Sequence, residues 1–193
     1  MGNPDLEMAK RFLALLGPGE DFTFQTFADG KEDAHRAAAA GYKPQALQRV
    51  LHGSFSSRAT ELARLNQMGA GVFVMVNRGD GITREGRRTC RTNGNVVAVR
   101  ALFADADGIP LQPILDKSPP PHILVESSPD KWHLYWLTRD TPLEEFTVRQ
   151  GAIAELLGTD PAVKDLARVM RLPGFYHQKG EPFMTRLVQD LAL

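Results

Sequence analysis

The chain has 193 residues, 42% hydrophobic and 24% charged, with 23 Lys and Arg against 23 Asp and Glu. This length suits one domain, residues 1–193, with a real core, and the charge balance leaves any polyanion to be recognised by a local patch. A single cysteine, Cys90, excludes an intramolecular disulfide and a Cys-rich zinc module, and no run approaches the roughly 18 apolar residues of a membrane helix.

The opening Met-Gly-Asn-Pro-Asp lacks a charged segment followed by an apolar one, so the expected location is cytoplasmic, away from membrane. Asn3 or Asp5 can cap a helix to about Leu16, with Leu6, Ala9, Phe12, Leu13 and Leu16 at helical spacing. Phe22–Phe27 alternates as a strand, with Asp29-Gly30 as its turn. A polar segment and the Ala37–Ala40 run follow without a clear pattern. Gln45–His52 and Ser57–Met68 read as helices, the second capped by Ser56 or Ser57 and ended by Gly69. Gly71–Asn77 is an apolar run of strand length, suited to a sheet centre.

Asn77–Arg100 is the most basic segment. It carries Arg78, Arg84, Arg87, Arg88, Arg91 and Arg100 against Asp80 and Glu85, with four interspersed glycines. Such a stretch reads as a mobile loop that tracks a phosphate backbone, with Arg84, Arg87 and Arg88 as DNA contacts, or as a solvated surface loop.

Val99–Gly108 then runs apolar into two aspartates. On a strand Phe103, Asp105 and Asp107 share one face and Leu102, Ala104 and Ala106 the other. The carboxylates stand roughly 6–7 Å apart by strand rise, and at an effective dielectric of about 20 they repel by roughly 3 kcal/mol. A cation between them offsets that cost, and oxygen-only ligation suits Mg²⁺ or Mn²⁺ held together with substrate phosphates. The alternative is a solvated turn started by Gly108.

A proline-rich crossing, Pro110 to Pro121, leads to a hairpin of His122–Glu126 and Trp132–Leu137, placing His133 on the face of Tyr135. Pro142 and Glu144 open an amphipathic helix to about Leu157, ended by Gly158, and Phe183–Gln189 reads as a closing strand. In between, Asp165 is positioned to complete a metal site, and Arg168 and Arg171 offer guanidinium groups to phosphate oxygens. If that segment is helical the two arginines share a face; in a strand they point apart and one is left for the nucleotide. Lys131 and Lys179 are the next candidate phosphate contacts. Metal, His and Arg around a triphosphate form the apparatus of phosphoryl or nucleotidyl transfer.

Leu102–Asp107, Ser127-Ser-Pro-Asp-Lys-Trp-His133 and Asp165-Leu-Ala-Arg-Val-Met-Arg-Leu-Pro-Gly174, in that order, resemble the three motifs of archaeo-eukaryotic primases. Within that superfamily the match is to RepB-like primases of plasmids, phages and integrated elements, over about Phe22 to Arg186. The resemblance implies an α/β (α+β) fold with an RRM-like mixed or antiparallel sheet and flanking helices. It also implies a DNA primase or polymerase acting on a single-stranded DNA template with nucleoside triphosphates, with a replicative helicase as a candidate partner. By the same resemblance Asp105, Asp107 and Asp165 ligate Mg²⁺ or Mn²⁺, and His133, Arg168 and Arg171 contact nucleotide phosphates. Lys131 stands where the second motif usually has a small residue, and its long side chain can itself reach a phosphate. Asp160, five residues before Asp165, is an alternative third carboxylate.

Two other readings compete. Phe103-Ala-Asp-Ala-Asp-Gly108 also resembles the nucleophile motif of haloacid-dehalogenase-like phosphatases, in which the first aspartate attacks phosphorus. A non-catalytic nucleic-acid-binding replication module is the other, opposed by carboxylates that would repel phosphate without a metal.

Overall fold

The computed structural model describes residues 2–30 and 44–190, and the Ala37–Ala40 run lies outside them. Helix α1 (Leu6–Leu16) starts at Asp5, whose carboxylate accepts the Met8 N–H at 2.9 Å, and it buries Ala9, Phe12, Leu13 and Leu16. Strand β1 (Phe22–Ala28) is flanked by β2 (Arg49–Gly53) and β3 (Ala70–Met75), and β9 (Val169–Arg171) pairs with the far side of β3. All three pairings are antiparallel, giving a first sheet of order β2-β1-β3-β9.

Gln45–His52 is therefore not a helix. A 3-10 turn, Pro44–Leu47, leads directly into β2. The Thr26 hydroxyl donates to the Leu47 carbonyl at 2.7 Å and accepts the Arg49 N–H at 3.1 Å, so pairing with β1 overrides the local helical pattern. Helix α2 (Phe55–Gln67) begins earlier than its sequence pattern suggests, with Ser54 as cap in place of Ser56 or Ser57.

The ends of the basic segment are held together by a short ribbon and by hydrogen bonds around Asp80. Strands β4 (Arg78–Gly79) and β5 (Val96–Ala98) pair into a small ribbon, and Asp80 clasps the loop between them. Its carboxylate accepts from Ile82 N at 2.9 Å, Asn95 Nδ2 at 2.7 Å and Arg84 Nη2 at 2.7 Å. The bonds to Asn95 and the Ile82 backbone, with Arg84 adding charge, hold the Asp80 pKa down at about 2.

The second sheet has the order β12-β7-β8-β6, again antiparallel throughout. Its strands are β6 (Ala101–Ala106), β7 (Ile123–Ser128), β8 (Lys131–Leu137) and β12 (Arg186–Asp190). The β7–β8 hairpin turns at Pro129-Asp130, with Asp130 in the left-handed region at φ 59°. Strands β10 (Tyr176–His177) and β11 (Phe183–Met184) form a small side ribbon, so the expected closing strand is split, with Thr185 bonded to Gly174 and Phe175 at the break.

One buried cluster joins Phe24, Val72, Val74 and Met170 of the first sheet to Phe103, Ile123, Val125 and Tyr135 of the second, with Phe12 edge-on to Tyr135 at 5.5 Å. The opposite face of the second sheet, through Ala104, Leu124 and Leu134, packs on α3 (Leu111–Leu115) and α4 (Leu143–Leu157). Strand β6 lies at a sheet edge. Gln150 of α4 covers that edge, its Oε1 accepting the Phe103 N–H at 3.1 Å and its Nε2 donating to the Phe103 carbonyl. An antiparallel edge strand is incompatible with the consecutive parallel βα units of a haloacid-dehalogenase-like fold, so that reading is overturned.

Candidate active-site cleft

The register of β6 on β8 sets Phe103 opposite Tyr135 and Asp105 opposite His133. These four side chains share one face, but the core ends between the two pairs. Phe103 and Tyr135 are fully buried, whereas the Asp105 side chain is 35% exposed. Asp107 lies one residue past the end of β6 and is more open still, just before Gly108 turns the chain at φ 79°.

Both carboxylates already face cations or a proton carrier. Lys131 Nζ stands 2.6 Å from Asp107 Oδ1, and His133 Nε2 is 3.8 Å from Asp105 Oδ1. His133 is almost fully buried, and burial pushes its pKa down to about 4 against the opposing pull of Asp105, so the ring is neutral at pH 7.

The other wall comes from the first sheet and from the chain after β9. Arg171 reaches into a cleft of about 200 Å³ whose lining also includes Phe73, Asp105, Asp107, Lys131 and His133. Its guanidinium is fixed by the buried Asp29 carboxylate through bonds of 3.0 and 2.6 Å, and lies over the Phe73 ring at 4.7 Å. Asp29 also accepts the Gln178 N–H at 2.7 Å, which orients the segment bringing His177 and Lys179 to the same cleft. Burial and the nearby Arg171 lower the His177 pKa. An acidic wall thus faces a basic one. Among the described residues, His133 Nδ1, His177 Nε2 and Ser128 Oγ are buried here without a hydrogen-bond partner, an arrangement that a polar ligand relieves.

Six of the residues singled out from sequence meet in this cleft: Asp105, Asp107, Lys131, His133, Arg171 and Lys179. Asp165 and Arg168 are not brought in. They lie on the turn before β9 and engage one another at 2.6 Å, Arg168 also donating to the Ala162 carbonyl at 2.7 Å. The segment is a strand, so Val169 and Arg171 face the cleft and only one of the two arginines reaches it. Asp160 caps its own turn, accepting the Ala162 N–H at 2.8 Å. Arg84 is spent on Asp80 at 2.7 Å, while Arg87 and Arg88 are exposed and outside the cleft lining. Asp29 and His177 were not anticipated. Alternation after Gly174, which sets His177 and Lys179 two apart, was the available signal for His177, and nothing local signals Asp29.

Two carboxylates with a basic wall opposite suit a hard divalent cation that takes its remaining oxygens from water and a triphosphate. Among the described residues no group of three or more His, Cys, Asp or Glu is arranged to hold a metal by protein ligands alone.

The profile of the RepB DNA-primase N-terminal domain matches residues 84–190, more than half of the chain and the part that carries the cleft's acidic strand, hairpin and β9. The chain belongs to the RepB DNA-primase family. No curated protein sequence matches it. Among solved structures, the archaeo-eukaryotic primase domain of the cyanophage S-2L primase-polymerase is similar over all of this chain and 94% of its own, with a TM-score of 0.73 and 18% identity. Primase RepB' is similar over 96% of this chain and 56% of its own (TM-score 0.63, 18% identity). Its catalytic domain in complex with initiator DNA is similar over 96% of this chain and 84% of its own (TM-score 0.62, 19% identity). At these identities the likeness establishes the fold: this family member has the mixed α/β architecture of archaeo-eukaryotic primase domains, built on antiparallel sheets.

Proposed function

We propose that residues 1–193 form a template-dependent DNA primase-polymerase catalytic domain serving the replication of a plasmid, phage or integrated element. The observation that carries this reading is the opposition of Asp105 and Asp107, with Lys131 beside them, to Arg171 and Lys179 across one cleft. Such a site separates the two needs of nucleotidyl transfer, an acidic side for a metal and a basic side for phosphates. The reaction joins a 3′-hydroxyl oxygen to the α-phosphorus of a nucleoside triphosphate, breaks the bond to the bridging oxygen and releases diphosphate. Asp105 and Asp107 would hold Mg²⁺ or Mn²⁺, which neutralises phosphate charge and makes the hydroxyl easier to deprotonate.

The chain's own groups do the positioning. Arg171, clamped by Asp29, presents a fixed guanidinium to phosphate oxygens, so little reorganisation is needed as charge develops. Lys179 adds a flexible cation from the same wall, and Lys131 can turn from Asp107 to the triphosphate. His133, neutral and buried, fixes the floor beneath Asp105 and offers a ring nitrogen to a phosphate oxygen. A replicative helicase remains the expected macromolecular partner.

The test is a gel assay with purified protein, single-stranded template, labelled nucleotides and Mg²⁺ or Mn²⁺, with and without primer. Metal-dependent extension that disappears in Asp105→Asn and Asp107→Asn is the expected result. DNA binding with no incorporation under any of these conditions would make the chain a non-catalytic replication module.

A further inference from the structure

A second polar recess lies at the far end of the strand that carries Asp105. Arg100 stands just before β6 and Asp105 near its other end, about 17 Å apart in an extended chain. The recess holds about 310 Å³, and among the described residues none lines both it and the cleft. Its walls come from the turn after α1, from β4 and from the chain on either side of the β6–β8 end. Arg78, Arg100 and Arg139 line it, and Glu20 is the only acid in its lining among the described residues.

Arg100 is the buried member, its side chain 6% exposed. Its Nε and Nη2 donate to Glu20 Oε2 at 2.8 and 2.6 Å, and Nη2 also reaches the Asp21 carbonyl at 3.0 Å. The guanidinium lies over the Phe22 ring at 4.3 Å. Its remaining nitrogen, Nη1, is buried with no hydrogen-bond partner among the described residues. Glu20 is shared, since its Oε1 also faces Arg78 at 3.4 Å. Arg139 is exposed and has no ion pair among the described residues. One carboxylate thus answers three guanidinium groups, and two positive charges are left over.

We propose that this recess binds a phosphate dianion, either free or as the head of a small phosphomonoester. Such a group carries about −1.5 to −2 charge at pH 7, which matches the excess, and its oxygens accept from Nη1 and from the two outer arginines. A buried guanidinium nitrogen left unbonded costs stability, so the fold gains from a ligand that bonds it. Leu15, Val99 and Leu137 line the same recess and offer an apolar wall to the body of a monoester. A backbone phosphate of nucleic acid is a monoanion within a chain, and it matches neither the excess charge nor the enclosed donor. Binding here is independent of the chemistry of the cleft.

The experiment titrates isotope-labelled protein, without divalent metal, with inorganic phosphate, AMP and adenosine, and follows backbone amides by NMR. Saturable shifts at Gly17, Thr138 and Arg139 are expected with phosphate and AMP and not with adenosine. Tighter binding of AMP assigns the site to a phosphomonoester, and equal affinities assign it to phosphate itself. Arg139→Glu, at an exposed position, should weaken that binding about tenfold or more, since a charged hydrogen bond becomes a repulsion. Arg100→Gln should abolish it; if that variant fails to fold by circular dichroism, Arg139→Glu decides alone. Arg171→Ala should leave the shifts at Gly17 and Thr138 as in the wild type, because the cleft lies at the other end of β6. Shifts that rise without saturating, or that vanish in Arg171→Ala and persist in Arg139→Glu, would overturn the site. So would equal competition by a single-stranded oligonucleotide lacking terminal phosphates.

Discussion

Asp105 and Asp165 are both carboxylates of the resemblance's metal set, yet their surroundings differ. Asp105 faces the cleft and the buried His133, whereas Asp165 is neutralised by Arg168 on an outer turn. Asp105→Asn should therefore abolish incorporation, and Asp165→Asn should lower it less than about tenfold; equal losses in primer extension would restore Asp165 to the metal site. His133 yields a separate prediction. Its pKa in the fold is about 4, below the ordinary 6.5, so between these values the unfolded chain takes up a proton that the folded chain refuses. Stability is complete above about pH 6.5 and declines as pH falls toward 4, by up to roughly 3 kcal/mol. His177, also lowered, adds in the same direction. Urea midpoints measured from pH 7 to pH 4.5 should fall in the wild type and fall less in His133→Gln; parallel profiles would show that the ring does not carry this dependence.

Strand β6 holds Asp105 but forms sheet pairs on one side only, and Gln150 of α4 bonds to the other side. Gln150→Leu keeps the volume and removes both bonds to Phe103, leaving a buried N–H and a buried carbonyl unpaired at a cost of about 2–4 kcal/mol. Chemical denaturation should show that loss, and hydrogen exchange at Phe103 should accelerate. A loss below about 0.5 kcal/mol would mean that water replaces the glutamine without cost. Gly174 plays a comparable part after β9. Its φ is 86°, and a Cβ there would collide with the carbonyl oxygen of Asp5, where the start of α1 is bonded to the Gly174 carbonyl at 2.7 Å. Gly174→Ala should lower the melting temperature and weaken nucleotide binding, because Arg171 lies three residues upstream; unchanged melting would show that α1 can move aside freely.

Much of the architecture was readable from local alternation and punctuation. The β7–β8 hairpin, α4 with its Gly158 cap, the central β3 and the acidic strand are each set by residues close in sequence. The failures are long-range. Arg49–Gly53 carries a helical pattern, yet β1 offers it a partner strand over 20 residues away. The pairing of Arg171 with Asp29 spans 142 positions, so no periodicity could announce it. Arg168 and Arg171 looked equivalent three residues apart, and only the strand geometry of β9 separated them. The glycines and arginines of Asn77–Arg100 carry no sign of the clasp at Asp80, which needs Asn95, fifteen residues on, to close.

The ion pair between Lys131 and Asp107 gives the cleft an internal counterion. A divalent ion arriving at Asp107 therefore takes part in an exchange: one ammonium leaves as the metal binds, and the freed ammonium becomes available to the triphosphate that accompanies the metal. Loading of metal and loading of nucleotide are coupled by the swing of one side chain. Because both partners are substantially exposed, the pair itself is worth no more than about 1 kcal/mol. Lys131→Met should accordingly tighten Mn²⁺ binding only a few-fold in a calorimetric titration without nucleotide, while weakening nucleotide binding once metal is present. Opposite signs in those two titrations are the signature of the exchange, and equal signs would remove it.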